Sequence, residues 1–315
     1  MQLLTMKRVP VPKGSTAFKY LAWPWLKLIS ILPFWALYGI SNGMRFLLYH
    51  VLGYRVKVVR ENLKNSFPQL SEVERKIIER KYYSHLSDLF VETIKGMSIS
   101  EKQMRERMLN IDQHEFDNLH KEGKSAIIVM SHCGNWEWIC LMSQIVCQQR
   151  VQCLYKTLSN PGFDRLMFLV RSKFGASPIP MELTLRVLDA NKEVVTVNAF
   201  IGDQNPSSGK GAAWVDFLGQ DTAFMMGAEK IARKMDWPVY YLSSSKIKRG
   251  YYQAHTVPIC LDPKSTKDGE ITQLIANHTE KEILNQPHIW LWSHRRWKHK
   301  RNASWYSTCS IIDYV

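Results

Sequence analysis

The sequence is short of acid: 28 aspartates and glutamates stand against 42 lysines and arginines, a formal charge of +14 over 315 residues. Such an excess asks for an acidic partner or surface, and nucleic acid, anionic lipid or an acidic carrier protein would each serve. The six cysteines (133, 140, 147, 153, 260 and 309) lack the close pairing of a zinc site and form no dense disulfide framework. A reducing, cytosol-facing domain is the expectation from that usage. Helix-turn-helix, zinc-finger and RNA-binding signatures are also missing, so nothing beyond charge points to nucleic acid. No internal repeat or low-complexity linker divides the chain, and the 45% apolar content excludes disorder.

What the chain has at its start is a hydrophobic run. Residues 20–40 read YLAWPWLKLISILPFWALYGI, and FLLYHVLGY follows at 46–54. Twenty apolar residues in one helix reach about 30 Å, the thickness of a hydrocarbon core. Lys27 interrupts this run, and Pro24 and Pro33 start, kink or break helices. Trp23, Trp25, Trp35 and Tyr38 are of the kinds that favour a membrane interface. No small-residue cleavage pattern follows, which argues against a secretory signal peptide. Cations flank both sides (Lys7, Arg8, Lys13 and Lys19, then Arg45, Arg55, Lys57 and Arg60), so charge gives no orientation. Residues 1–52 are expected to anchor the protein to a membrane, as a single span or as a helix lying in the interface. The bland alternative is a buried, aromatic-rich helix pair. Residues 53–315 form the expected catalytic domain, with a helical lead-in over about 68–120.

That lead-in has a capping box at Ser71–Glu74 and helical periodicity to about residue 97, then a helix over roughly 101–120. Short apolar runs then alternate with longer periodic segments. Strands are predicted at 125–130, 151–155, 193–201, 238–243 and 251–260, and helices at 136–149, 162–174, 182–190, 224–236 and 269–285. The alternation predicts an α/β fold with a central mixed, largely parallel sheet flanked by helices.

His132 directly follows the first of these strands, and Glu137 opens the next helix. Strand carboxyl ends are where ligands bind in α/β sheets. A carboxylate that accepts one ring N–H fixes the tautomer, leaving the other nitrogen free to take a substrate proton. Gly134 permits a tight turn, and Asn135 can cap the helix or orient a substrate. Taken alone, a histidine and a glutamate at this spacing are more often a turn residue and a macrodipole-favoured acid. Cys133 invites a nucleophilic reading, although buried inert cysteine is commoner; Cys133, Cys140 and Cys147 sit at heptad spacing, as one helix face would. Asp203 and Gln204 sit just past a strand in a Gly/Asn/Pro turn, where an Asx turn or a place in the site is possible. Phe217, Phe224, Met225 and Met226 read as core before they read as an acyl groove. In the tail, Trp290, Trp292, Trp297 and Trp305 mark packing or interface contact, with His294 and Arg295 placed to approach lipid phosphates.

The segment His132-Cys-Gly-Asn-Trp-Glu137 resembles the His-x4-Asp/Glu motif of the glycerolipid acyltransferase superfamily, in the form found in late lipid A acyltransferases. Further blocks agree in order: Tyr54-Arg55 with Val59–Leu63 and Phe67-Pro68; 156–171, with Asn160-Pro161 and a closing Arg171; Gly202–Pro206; Val215–Gly219 with Thr222, and Gly227 to Pro238; and Trp290–Trp297. The likeness spans about residues 20–298. It implies acyl transfer from acyl carrier protein to a hydroxyl of a lipid A precursor, at the cytoplasmic side of the inner membrane. It implies His132 as base oriented by Glu137, with Asn135, Arg171, Asp203 and Gln204 binding substrate, and Arg171 meeting a phosphate or the donor's phosphopantetheine. It requires neither metal nor cofactor, and it leaves nucleic acid without a role. Two rivals stay open: another lipid acceptor (a lysophospholipid, amino-acid lipid or glycolipid), and a non-catalytic basic protein on membrane or nucleic acid.

Overall fold

The structure, a computed structural model, describes residues 9–16, 18–109, 114–206 and 211–301; Lys7, Arg8, Trp305 and Cys309 lie outside them. It begins with two short helices, α1 (Trp23–Ile31) and α2 (Phe34–Phe46), followed by α3 (Val56–Ser66) and the long α4 (Glu72–Lys95). Pro33 separates α1 from α2, because it cannot donate the bond a continuous helix needs. Even with the π-helical turns that adjoin them (Phe18–Ala22 before α1, Leu47–Val51 after α2), the two stretches reach about 21 and 27 Å, short of the hydrocarbon core of about 30 Å. No helix among the described residues is long and apolar enough to cross a membrane. The outward faces nevertheless carry Trp25, Leu28, Ile31 and Trp35, all largely exposed, with Trp35 at 79%.

The inward faces of these helices are tied to α4 by polar bonds. Tyr38 donates to Glu92 at 2.9 Å and Ser41 to Asp88 at 2.7 Å. The Lys95 ammonium donates to the carbonyls of Ser30 and Leu32, at the open end of α1. The hydrophobic segment is thus packed onto the body that carries the site. Helix α4 begins at the predicted capping box, with Ser71 and Glu74 each satisfying the other's backbone N–H.

After α5 (Glu101–Arg107), β1 (Met108–Leu109) and α6 (His114–Lys121), the chain enters the strand β2 (Ala126–Met130). It continues through α7 (Trp136–Val146), β3 (Arg150–Tyr155), α8 (Pro161–Arg171), β4 (Ser177–Pro180), α9 (Thr184–Ala190) and β5 (Thr196–Ile201). A hairpin, β6 (Ala213–Phe217) and β7 (Gln220–Phe224), precedes α10 (Gly227–Met235), β8 (Val239–Lys248), β9 (Tyr251–Cys260) and α11 (Glu270–Asn285). Seven strands form one sheet in the order β1-β9-β8-β2-β5-β3-β4, parallel except for the β8–β9 pair. The mixed, largely parallel sheet expected from the sequence is therefore present. Strand β2 is buried at every position, as its unbroken apolar run Ala-Ile-Ile-Val-Met requires between two helical layers.

Three features depart from the sequence reading. The β6–β7 hairpin was not predicted; it turns on Leu218 and Gly219, both at positive φ, and leucine is not a residue that announces such a turn. Its Phe217 and Phe224 are fully buried and pack on each other, in the core that the sequence reading favoured for them. Cys133 lies before α7 and not on a shared face with Cys140 and Cys147, and Cys140 on α7 is joined to Cys153 on β3 in a disulfide.

Candidate active site

The register of the sheet assembles the site. Met130, the last residue of β2, pairs with Ile201, the last of β5. His132 and Asp203, each two residues further, therefore leave adjacent strands at the same carboxyl edge. The His132 Nδ1–H donates to Asp203 Oδ1 at 2.6 Å, and the His132 backbone N–H donates to Oδ2 at 3.0 Å. Trp290 Nε1–H donates to the same Oδ2 at 2.7 Å. Three donors thus converge on one carboxylate that is 2% exposed. Burial works against ionisation, but His132 and these hydrogen bonds prevail and hold the Asp203 carboxyl at about 2. With Nδ1–H committed, the ring's Nε2 carries the lone pair, and the Gln204 amide donates to it at 3.1 Å. The Trp136 ring meets the imidazole edge-on, with centroids 4.9 Å apart.

Glu137 does not take the place at the imidazole that the motif spacing assigns to it. Its carboxylate is gripped by Arg171, with Nε–Oε2 at 2.8 Å and Nη2–Oε1 at 2.6 Å. This fork pairs the second residue of α7 with the last residue of α8, and both side chains are mostly buried. Desolvation alone would raise the Glu137 carboxyl; the Arg171 charge and its bonds, with a contribution from His132, bring it below the ordinary value. The Arg171 guanidinium also lies 5.3 Å from the centre of the Tyr155 ring. The carboxylate on His132 is therefore Asp203, and Glu137 with Arg171 forms a second charged pair in the same site.

Asn135 is fully buried and caps α7. Its Oδ1 accepts from the Trp138 backbone N–H at 3.0 Å, and its Nδ2 donates to Glu92 Oε2 at 2.8 Å. Both ends of the amide are engaged, so Asn135 sets the helix rather than facing a substrate. Gly134 has φ +61, and a Cβ there would overlap the Ser244 hydroxyl. Cys133 is completely buried; desolvation and then the charge of Glu282 push its thiol well above the ordinary range, against a thiolate nucleophile.

Some supporting groups gave no sequence signal as site residues. Glu282 of α11 accepts from Ser131 at 2.6 Å and Tyr241 at 2.7 Å, and also from the Ser244 backbone, bracing the residue before His132. The Trp-rich tail was legible as a block, but the role of Trp290 as a donor to Asp203 was not. His294 Nε2 accepts from the Asn205 backbone N–H at 3.2 Å. Burial, outweighing the pull of Asp203, brings His294 down to about 4 and keeps it a neutral acceptor.

A histidine held by a buried carboxylate at the strand ends of a mostly parallel sheet is an arrangement chemically suited to proton transfer in an α/β fold. The family of bacterial lipid A biosynthesis acyltransferases matches the chain over residues 7–299, and the chain belongs to that family. It is accordingly an acyltransferase, with an acyl donor and a lipid acceptor. No curated protein matches the chain.

Proposed function

We propose that the protein transfers a fatty acyl chain from acyl carrier protein to a hydroxyl of a lipid A precursor, with His132 as general base. The acceptor hydroxyl displaces the Gln204 amide from His132 Nε2 and gives its proton to that nitrogen. Its oxygen attacks the thioester carbonyl, and the resulting oxyanion collapses as the carbon–sulfur bond breaks. The imidazolium then returns the proton to the leaving thiolate. Asp203 fixes the tautomer and stabilises the imidazolium, in the part the motif gives to Glu137. The Arg171–Glu137 pair supplies a preorganised cation beside the reacting atoms. The observation that carries this reading is the 2.6 Å bond from His132 Nδ1–H to Asp203, with Nε2 at the site rim. Purified protein, acyl carrier thioester and a lipid A precursor, read by mass spectrometry, test it. His132→Ala should abolish transfer, and near-normal turnover in that variant would end the mechanism.

The reading includes a place in the cell. The exposed apolar residues of α1 and α2, continued by Phe46, Val51 and Leu52, suit a helix pair lying in the bilayer surface. The body then faces the cytoplasm at the inner membrane, where a carrier-borne donor is available. The basic charge suits both an acidic carrier and an anionic lipid surface.

A further inference from the structure

A groove of about 750 Å³ opens between α3, the β6–β7 hairpin and the tail segment 295–301. Its walls carry five cationic side chains (Lys57, Arg295, Lys298, Lys300 and Arg301) against two carboxylates, Glu61 and Asp221. Arg301 lies 3.7 Å from Asp221. Among the described residues the other four cations have no ion-pair partner, and all four are exposed. Unbalanced positive charge concentrated in a concavity is the electrostatic signature of a site for a polyanion.

The groove is built and not merely a ragged surface. Asn62 on α3 donates to the carbonyls of Trp292 and His294, at 2.8 and 2.9 Å, and Arg55 donates to Ser293 O at 2.8 Å. These bonds clamp the tail against α3. Trp297 is held by its Nε1–H to Thr222 at 2.8 Å, which leaves part of its ring on the groove wall. An aromatic face beside amides such as Asn65 and Gln220 offers contacts for a sugar ring and its hydroxyls.

Its position joins two surfaces already described. Lys57, in the first turn of α3, follows five residues after Leu52, the end of the exposed apolar run. On its other side the tail bonds to the loop that carries Asp203 and Gln204. The Arg295 carbonyl accepts from the Asn205 side chain, and Arg296 donates to Asn205 Oδ1 at 3.2 Å. A ligand in the groove therefore lies between the membrane-facing helices and the segment against which His132 is fixed.

We infer that this groove holds the phosphate- or carboxylate-bearing saccharide headgroup of the acceptor lipid while its acyl chains stay at the apolar face. The inference rests on the acceptor being a lipid A precursor. The volume is that of a small-molecule site, about 300–1,000 Å³, and a carrier protein would instead need a broad, largely flat interface.

The test uses the full chain in detergent micelles, with the de-acylated, bisphosphorylated disaccharide of a lipid A precursor as the calorimetric probe. The wild type and His132→Ala should bind it alike, whereas Lys57→Glu and Lys298→Glu should each weaken binding about tenfold, the scale of one charged contact. In steady-state transfer the two lysine variants should raise the acceptor KM about tenfold, with kcat and donor KM within twofold of wild type. A rise in donor KM alone would assign the groove to the carrier protein and overturn the inference; unchanged constants throughout would also overturn it. Flotation with phosphatidylglycerol vesicles should be equal for wild type and variants, and its loss in the variants would make the groove a general lipid contact, which also defeats the proposal. Disaccharide binding without any transfer would uphold the groove and sink the proposed reaction instead.

Discussion

Asp203→Asn is the perturbation that separates the two carboxylates of the site. Asp203 Oδ2 takes two fixed donors, the His132 backbone N–H and Trp290 Nε1–H, and Oδ1 takes the imidazole N–H. Asparagine has one carbonyl oxygen. Facing it to the two fixed donors turns its NH2 group toward His132 Nδ1, which must then accept, so the ring proton moves to Nε2 and the base is lost. Flipping the amide restores the tautomer but strands two buried donors, at about 1–3 kcal/mol each. Either route costs roughly 3–5 kcal/mol, and the imidazolium loses its counter-charge as well. Transfer should therefore fall about 10²- to 10⁴-fold in kcat, with acceptor KM little changed. Mass-spectrometric assay of kcat and acceptor KM, beside circular dichroism of the variant, tests the cause. Loss of the carboxylate should lower kcat in a chain that stays folded, whereas damage to the fold lowers the folded fraction. A folded variant within tenfold of wild type would refute the assignment of Asp203 as the orienting carboxylate.

Glu137→Gln should lower the melting temperature and reduce transfer about 100-fold, because it leaves the mostly buried Arg171 without its counter-charge; an unaltered melting curve would show the pair to be dispensable. Gly134→Ala forces a side chain into positive φ against Ser244, and denaturant unfolding should report about 2–3 kcal/mol of lost stability. Burial raises the Glu282 carboxyl from 4.5 to about 7, so between those values the folded chain keeps a proton that the unfolded chain has released. Its stabilising contribution is complete below pH 4.5 and is lost as pH rises through 7, about 3 kcal/mol in all, and Glu282→Gln should flatten that slope in urea titrations. Serine at Trp25, Leu28 and Trp35 should release the protein from vesicles while leaving its melting temperature within a few degrees; persistent flotation would place membrane binding elsewhere.

The sheet was legible because its strands are short apolar runs between helical periods, and β2 could hardly be anything but a buried strand. The β6–β7 hairpin was hidden because its turn rests on Leu218 adopting positive φ, a choice fixed by packing and by the Glu280 carboxylate that accepts from its N–H, not by local propensity. How the hydrophobic start sits on the body was hidden for a related reason. A hydropathy pattern counts apolar residues but cannot show that Ser30, Tyr38 and Ser41 face inward to polar groups on α4. The disulfide joins residues 13 apart across a helix and the next strand, a proximity set by the fold.

The candidate site itself shows why the spacing of a motif does not decide which of its side chains touch. Only four residues of chain separate His132 from Glu137, yet Asn135 must cap α7 and Gly134 must turn the backbone, and together they carry Glu137 onto the helix and toward α8. There Arg171 meets it with both oxygens engaged. The partner of the imidazole comes from 71 residues away, because parallel pairing of β2 with β5 puts equivalent positions side by side. Sequence spacing measures distance along the chain, whereas strand register decides which carboxylate touches the histidine. His132 and Glu137 are therefore linked through the charge of one site rather than by a shared proton, and each has its own buried counterpart.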